Sequence, residues 1–236
     1  MKKTIVTAVM ALTMLLGIQF NANSQGFNVG ADLMSRYVWR GMDFGNSPSI
    51  QPTLSYETAF GLEIGYWGAY STTSTSYQET DLYLSYTIKD VVSIGITDYF
   101  FPMADSLSIN NNYFEYDEDK TGHVFEANVS FNGLEGFPVY LSLNYNFYGA
   151  DADNSFYGEI GYNGNAGDYD YTVFAGATTG KCFYLPDGSD EFSLVNLGLT
   201  VTREIAITES FSLPVSSSLI FNPQAENIFL VFGISL

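Results

Sequence analysis

The chain has 236 residues, with Lys+Arg 8 against Asp+Glu 26 and a formal net charge of −18. That balance excludes a nucleic-acid binder, which needs a basic patch to meet phosphates. Aromatics reach 17% while charged residues reach only 14%, which excludes a disordered acidic chain and departs from the roughly one-quarter charged content of soluble domains.

The first element is a targeting segment. Lys2 and Lys3 precede a mostly apolar run from Ile5 to Phe20, and the small residues Ala22 and Ser24 stand before Gln25. This pattern predicts a secretory signal peptide over residues 1–24, leaving 25–236 as one domain. The apolar run is short for a membrane anchor and passes into polar Asn and Ser. No cysteine near the cleavage point supports lipid attachment, and Cys182, the one cysteine, has no intrachain partner.

Past the signal, helical periodicity gives way to strict alternation. "LYLSYTI" sets Leu82, Leu84, Tyr86 and Ile88 against Tyr83, Ser85 and Thr87. "FEANVSF" and "VYLSLNYNF" repeat the pattern, and "VNLGLTVT" sets Val195, Leu197, Leu199 and Val201 against Asn196, Gly198, Thr200 and Thr202. Each is a period-two strand with one apolar and one polar face. The chain divides into about twelve such strands, a number and length suited to membrane-spanning β-structure. The expected spans are 27–40, 48–58, 62–70, 78–88, 91–101, 123–132, 137–148, 155–163, 168–178, 192–203, 210–221 and 227–236.

The connections alternate in length. Tight turns fall around Gly61, at Lys89–Asp90, at Gly133–Gly136, near Gly167 and at Glu204–Glu209. The long polar segments, Met103–Gly122 and Gly180–Glu191, fall on the other side. Short turns on one rim and long loops on the other are the layout of an outer-membrane barrel. The last strand carries Ile228, Leu230, Phe232, Ile234 and Leu236 in alternation to the terminus, as a signal for the barrel-assembly machinery does; a terminal Leu stands where Phe is usual. The expected fold is therefore all-β: a transmembrane, antiparallel up-and-down β-barrel of about twelve strands in the cell outer membrane. A soluble sandwich shares the alternation, and the signal peptide, loop asymmetry and last strand decide against it.

"SRYVWRG", Ser35–Gly41, interrupts the pattern with two arginines among aromatics. As a strand end, it places Tyr37 and Trp39 toward lipid at the membrane interface, and Arg36 and Arg40 toward the interior, with Gly41 permitting a turn. This segment, followed by "SPSIQPTLSY" (Ser47–Tyr56), resembles the opening hairpin of the TorF family of porins. The resemblance implies an outer-membrane barrel with a porin-like role and carries no catalytic residues.

Other chemistry is sparse. His123 is the sole histidine and the only candidate base for a lipid hydrolase, but no nucleophile motif accompanies it. "EYDEDK" (Glu115–Lys120) and "ADADN" (Ala150–Asn154) offer carboxylates that suit calcium, without the spacing of an EF-hand. The inward charged set comprises Asp32, Arg36, Glu57, Glu63, Glu126, Glu159 and Asp170, with Arg36, Arg40, Glu57, Glu63 and Glu126 as candidates for a constriction. The sequence thus predicts a porin-like channel, narrow or partly plugged and cation-favouring, acting without enzyme activity, metal or cofactor. The alternatives are a non-conducting adaptor barrel and, less favoured, a lipid-modifying enzyme. The expected partners are outer-membrane lipid, lipopolysaccharide and the assembly machinery.

Overall fold

A computed structural model describes residues 26–73, 77–102, 111–185 and 188–236. The expected signal peptide and residues 103–110 of the longest loop lie outside these residues. Among the described residues there are fourteen strands and no helix. They are β1 (Gly26–Met34), β2 (Tyr37–Trp39), β3 (Met42–Phe44), β4 (Ser49–Glu57), β5 (Leu62–Ser71), β6 (Gln78–Ile88), β7 (Val92–Phe100), β8 (His123–Phe131), β9 (Val139–Gly149), β10 (Phe156–Ala166), β11 (Tyr169–Thr178), β12 (Ser193–Ala206), β13 (Ser212–Asn222) and β14 (Asn227–Ser235). All except β2 and β3 form one closed barrel, in which β1 pairs with both β4 and β14. Every pairing is antiparallel, so the barrel is the twelve-stranded, up-and-down structure that the alternation predicts.

Side-chain parity follows the pleat. Leu84 lies opposite Ile96, Val129 opposite Leu143, Val173 opposite Leu199, and Leu219 opposite Leu230. All eight are exposed on the outer surface. They form an apolar belt around the barrel, because each register pair brings two outward side chains side by side. The interior is polar. Thr97 donates to Asn128, Asn128 to Asn144, and Thr200 and Ser218 share a hydrogen bond. Inward tyrosines lie flat on the wall: Tyr83 covers Gly65 and Tyr140 covers Gly161, each ring filling the space a Cβ would need.

The first strand departs from expectation. Its pattern predicts a continuous strand over 27–40, but the wall strand ends at Met34. Ser35 closes it, with its amide donating to Phe232 O at 2.8 Å and its hydroxyl accepting from Phe232 N at 2.9 Å. β1 accordingly pairs with β14 only over Asp32–Met34, whereas it pairs with β4 along its full length. Between Met34 and Ser49 the chain leaves the wall and forms the separate β2–β3 hairpin. β12 also runs to Ala206, beyond the turn expected at Glu204.

Candidate functional site

The β2–β3 hairpin sits inside the barrel at the long-loop end. Its turn is formed by Arg40 and Gly41, with φ of 49° and 78°. Two successive positive φ values match the reversed turns favoured in tight hairpins. Gly41 is required there twice over. An added Cβ would lie 2.0 Å from the Val195 carbonyl oxygen as well as strain the backbone. Asn222 Nδ2, on the neighbouring strand β13, donates to Gly41 O at 3.1 Å.

Val195 reaches this contact through a β-bulge. Opposite Gly176 and Ala177 the register skips it, with Asn196 and Leu194 taking the pairings. The bulge turns both Val195 and Asn196 inward, so the expected opposition of these two faces is corrected at this point.

Arg40 is the centre of the site. Its Nη1 and Nη2 donate to the two carboxylate oxygens of Glu126 at 2.5 and 3.0 Å, and Nη1 also donates to Tyr184 Oη. The guanidinium lies over the rings of Trp39 and Tyr157, 4.2 and 4.5 Å from their centroids. Glu126 has further donors in Tyr99 Oη at 2.9 Å and Asn128 Nδ2 at 2.6 Å. A buried pair holds only when such extra bonds satisfy its remaining polar atoms, and here they do. Burial works against the Arg40 charge, but Tyr184, Glu126 and Tyr99 outweigh it and hold the guanidinium well above its ordinary pKa. Burial also raises the Tyr184 hydroxyl, with Arg40 pulling the other way.

Around this latch the barrel end is packed. Tyr157, Cys182, Tyr184, Leu185 and Val195 form a buried cluster, with Trp39, Met42 and Phe183 against it. Glu159 accepts from Tyr140, Tyr157 and Asn196 below it. On the other side of the hairpin, the Tyr37 ring meets Trp67 at 5.4 Å and Phe44 at 5.4 Å.

The sequence-predicted residues divide accordingly. Arg40 and Glu126 come together, and Glu159 lies nearby. Tyr37 and Trp39, expected to face lipid, are corrected: Tyr37 is 6% exposed and both rings pack within the barrel, because the chain turns inward at Ser35. Arg36 does not face Glu57, Glu63 or Glu126; it pairs with Asp43 across the hairpin at 2.5 Å. Glu63 accepts from Tyr83 at 2.9 Å, opposite Glu57, near the short-turn end. Asp170 is exposed beside the β10–β11 turn, where Asn165 donates to it, and is remote from any constriction. His123 begins β8 at the long-loop end and is fully buried; its ring nitrogens meet Asp98 Oδ1 and Tyr113 O, both at 2.7 Å. Among the described residues no cluster of three His, Cys, Asp or Glu side chains fits a metal ion.

Sequence reasoning missed Tyr99, Tyr157 and Tyr184. The first two carry inward parity that points to them; Tyr184 sits in a loop with no periodic signal. It missed Glu79 and Asp81 too, buried on the inward face of β6.

The fold and site define a closed twelve-stranded barrel with an internal hairpin latched by an arginine–carboxylate pair. The family model described as "Bacterial protein of unknown function (Gcw_chp)" matches residues 21–212, and the chain belongs to that family. No curated protein matches the chain.

Proposed function

We propose that the protein is an outer-membrane channel closed by its own first hairpin, which passes small cations or polar solutes when the hairpin leaves the lumen. The observation that carries this reading is the β2–β3 hairpin inside a polar-lined barrel, held by Arg40 on Glu126. The apolar belt supports the membrane placement, since soluble proteins rarely expose contiguous apolar area on this scale. The resemblance of Ser35–Tyr56 to TorF family porins points the same way. The interior holds Glu63, Glu79, Asp81, Glu126 and Glu159 against Arg36 and Arg40, so an open lumen favours cations. The reading places the protein among lipid and lipopolysaccharide, delivered by the assembly machinery through its last strand, and assigns it no enzyme activity.

The test is conductance in a planar bilayer under a salt gradient. The native barrel is expected to be closed with brief openings. A variant with residues 36–44 replaced by a short Gly-Ser link is expected to conduct steadily and to select cations. A folded variant that stays silent, or one that selects anions, refutes the channel reading. The buried cluster around Tyr184 supports a second reading, a permanently closed adaptor barrel, which that silence would favour.

A further inference from the structure

Beside the Arg40 latch, on its β6–β9 side, lies a cavity of about 290 Å3, close to the lower size limit for small-molecule sites. Its apolar walls include the rings of Trp39, Phe44, Tyr99 and Phe183. Trp39 and Phe183 stack with centroids 6.1 Å apart and planes 16° apart. Its polar groups are Glu79, Asn146, Asp151 and Asp153; among the described residues no Lys, Arg or His lines it.

One buried carboxylate there has no cation beside it, and one buried acceptor has no donor. Glu79 is 2% exposed and is met by the hydroxyls of Tyr37 and Tyr77, the latter at 3.4 Å, and by Asp81, but among the described residues no cation pairs with it. Asn146 is also 2% exposed. Its Nδ2 is committed to Asp151 Oδ2 at 2.7 Å, which leaves Oδ1 as a buried acceptor with no donor. Buried acceptors are rarely left unmet in folded proteins.

These features select a ligand. Carboxylates without a basic neighbour repel anions and attract cations. Aromatic faces attract cations as well. An unmet carbonyl oxygen calls for an N–H or O–H donor. The charge on Arg40 is already met by Glu126. We propose that this cavity binds a protonated organic amine with a compact apolar body, its ammonium donating to Asn146 Oδ1 and Glu79 and its body resting on Trp39 and Phe183. Because Trp39 and Phe44 belong to the hairpin, occupancy ties the hairpin to the wall and prolongs the closed state; that consequence rests on the channel reading, whereas binding does not.

The test uses the full chain folded in detergent, with Trp67→Phe so that Trp39 is the fluorescent reporter. The probes are butylammonium, its neutral counterpart 1-butanol, butyrate and glucose. Butylammonium alone is expected to give a saturable change, with affinity falling about tenfold or more in Glu79→Gln. Equal binding of 1-butanol, butyrate or glucose, or no saturable change in folded protein, overturns the proposal. Glu79 also contacts Tyr37, Tyr77 and Asp81, so the pair Asp153→Asn and Phe183→Leu probes the same cavity from its loops. If both leave the affinity unchanged, the site is wrong. In bilayers, butylammonium on the long-loop side is expected to lengthen closures. Binding in a barrel that never conducts sinks the channel reading and keeps the amine site; gating without binding sinks the amine site alone.

Discussion

Arg40 and Glu126 lie 86 positions apart in the chain, yet the guanidinium grips both carboxylate oxygens inside the barrel. One comes from a hairpin turn and the other from a wall strand, so their bond ties the internal hairpin to the barrel wall. Removing a single partner leaves a buried charge unmet, at a cost of about 3–5 kcal/mol. Glu126→Gln and Arg40→Met are each expected to lower thermal stability and raise open probability. The double variant Arg40→Met with Glu126→Leu is expected to recover much of the stability, because no uncompensated charge remains. A double-mutant cycle on the unfolding midpoint measures this, and additive effects would show that the two residues are not coupled.

The hairpin turn gives a second prediction. Gly41→Ala introduces a Cβ against Val195 O in a backbone conformation that alanine resists. The cost is expected to exceed about 1 kcal/mol and to fall on the hairpin, leaving the wall strands intact. Limited proteolysis should then cut between residues 36 and 44, with the barrel core unchanged. Protection equal to that of the native protein would mean the turn is placed wrongly.

The apolar belt gives a third. Ile96 is exposed at the centre of β7, opposite outward Leu84. In lipid, Ile96→Arg is expected to destabilise the barrel by about 2–4 kcal/mol. The neighbouring inward change Thr97→Arg should cost less, since that side chain enters the polar lumen. Unfolding titrations in vesicles compare them, and equal costs would argue against a membrane-facing belt.

Alkaline pH gives a fourth. Burial raises the Tyr37, Tyr77 and Tyr184 hydroxyls well above their ordinary value, with Glu79 and Asp81 adding to the effect at Tyr37 and Tyr77. In the unfolded chain these phenols ionise near pH 10. Above that pH the unfolded state therefore binds fewer protons than the folded one, and stability falls as pH rises. The hairpin is expected to loosen above about pH 10, seen as longer channel openings together with late tyrosinate absorbance. Tyr37→Phe should lessen the effect, and a flat profile into strong alkali would contradict the burial of these rings.

His123 gives a fifth. It is held beneath Tyr113 and Tyr116, and Tyr116 stacks on its ring at 4.5 Å. His123→Ala removes both the bond to Tyr113 O and this stacking surface. Amides from Tyr113 to Thr121 should exchange faster by about tenfold or more, consistent with losing a buried hydrogen bond. Unchanged exchange would show that the histidine does not fasten the loop.

The strands were legible because alternation is local: a pleat sends successive side chains to opposite faces, and "LYLSYTI" carries that information unaided. Turn chemistry was legible for the same reason, as at Lys89–Asp90, where both residues take positive φ. Neither Val195 nor Tyr37 could be placed this way. A bulge of one residue at Val195 reverses parity without altering composition, and its cause is the partner strand. "SRYVWRG" alternates equally well as a wall strand or as a hairpin within the lumen. Only the closed barrel distinguishes them. Pairing with β14 ends at Met34, and the space inside then offers Arg40 the Glu126 carboxylate and the rings of Tyr157 and Tyr184, which a continued wall strand would not reach. Local periodicity thus determined the barrel and most of its faces. Tertiary structure decided which segment fills it, because long-range partners set the energy of a buried charge and neighbours in sequence do not.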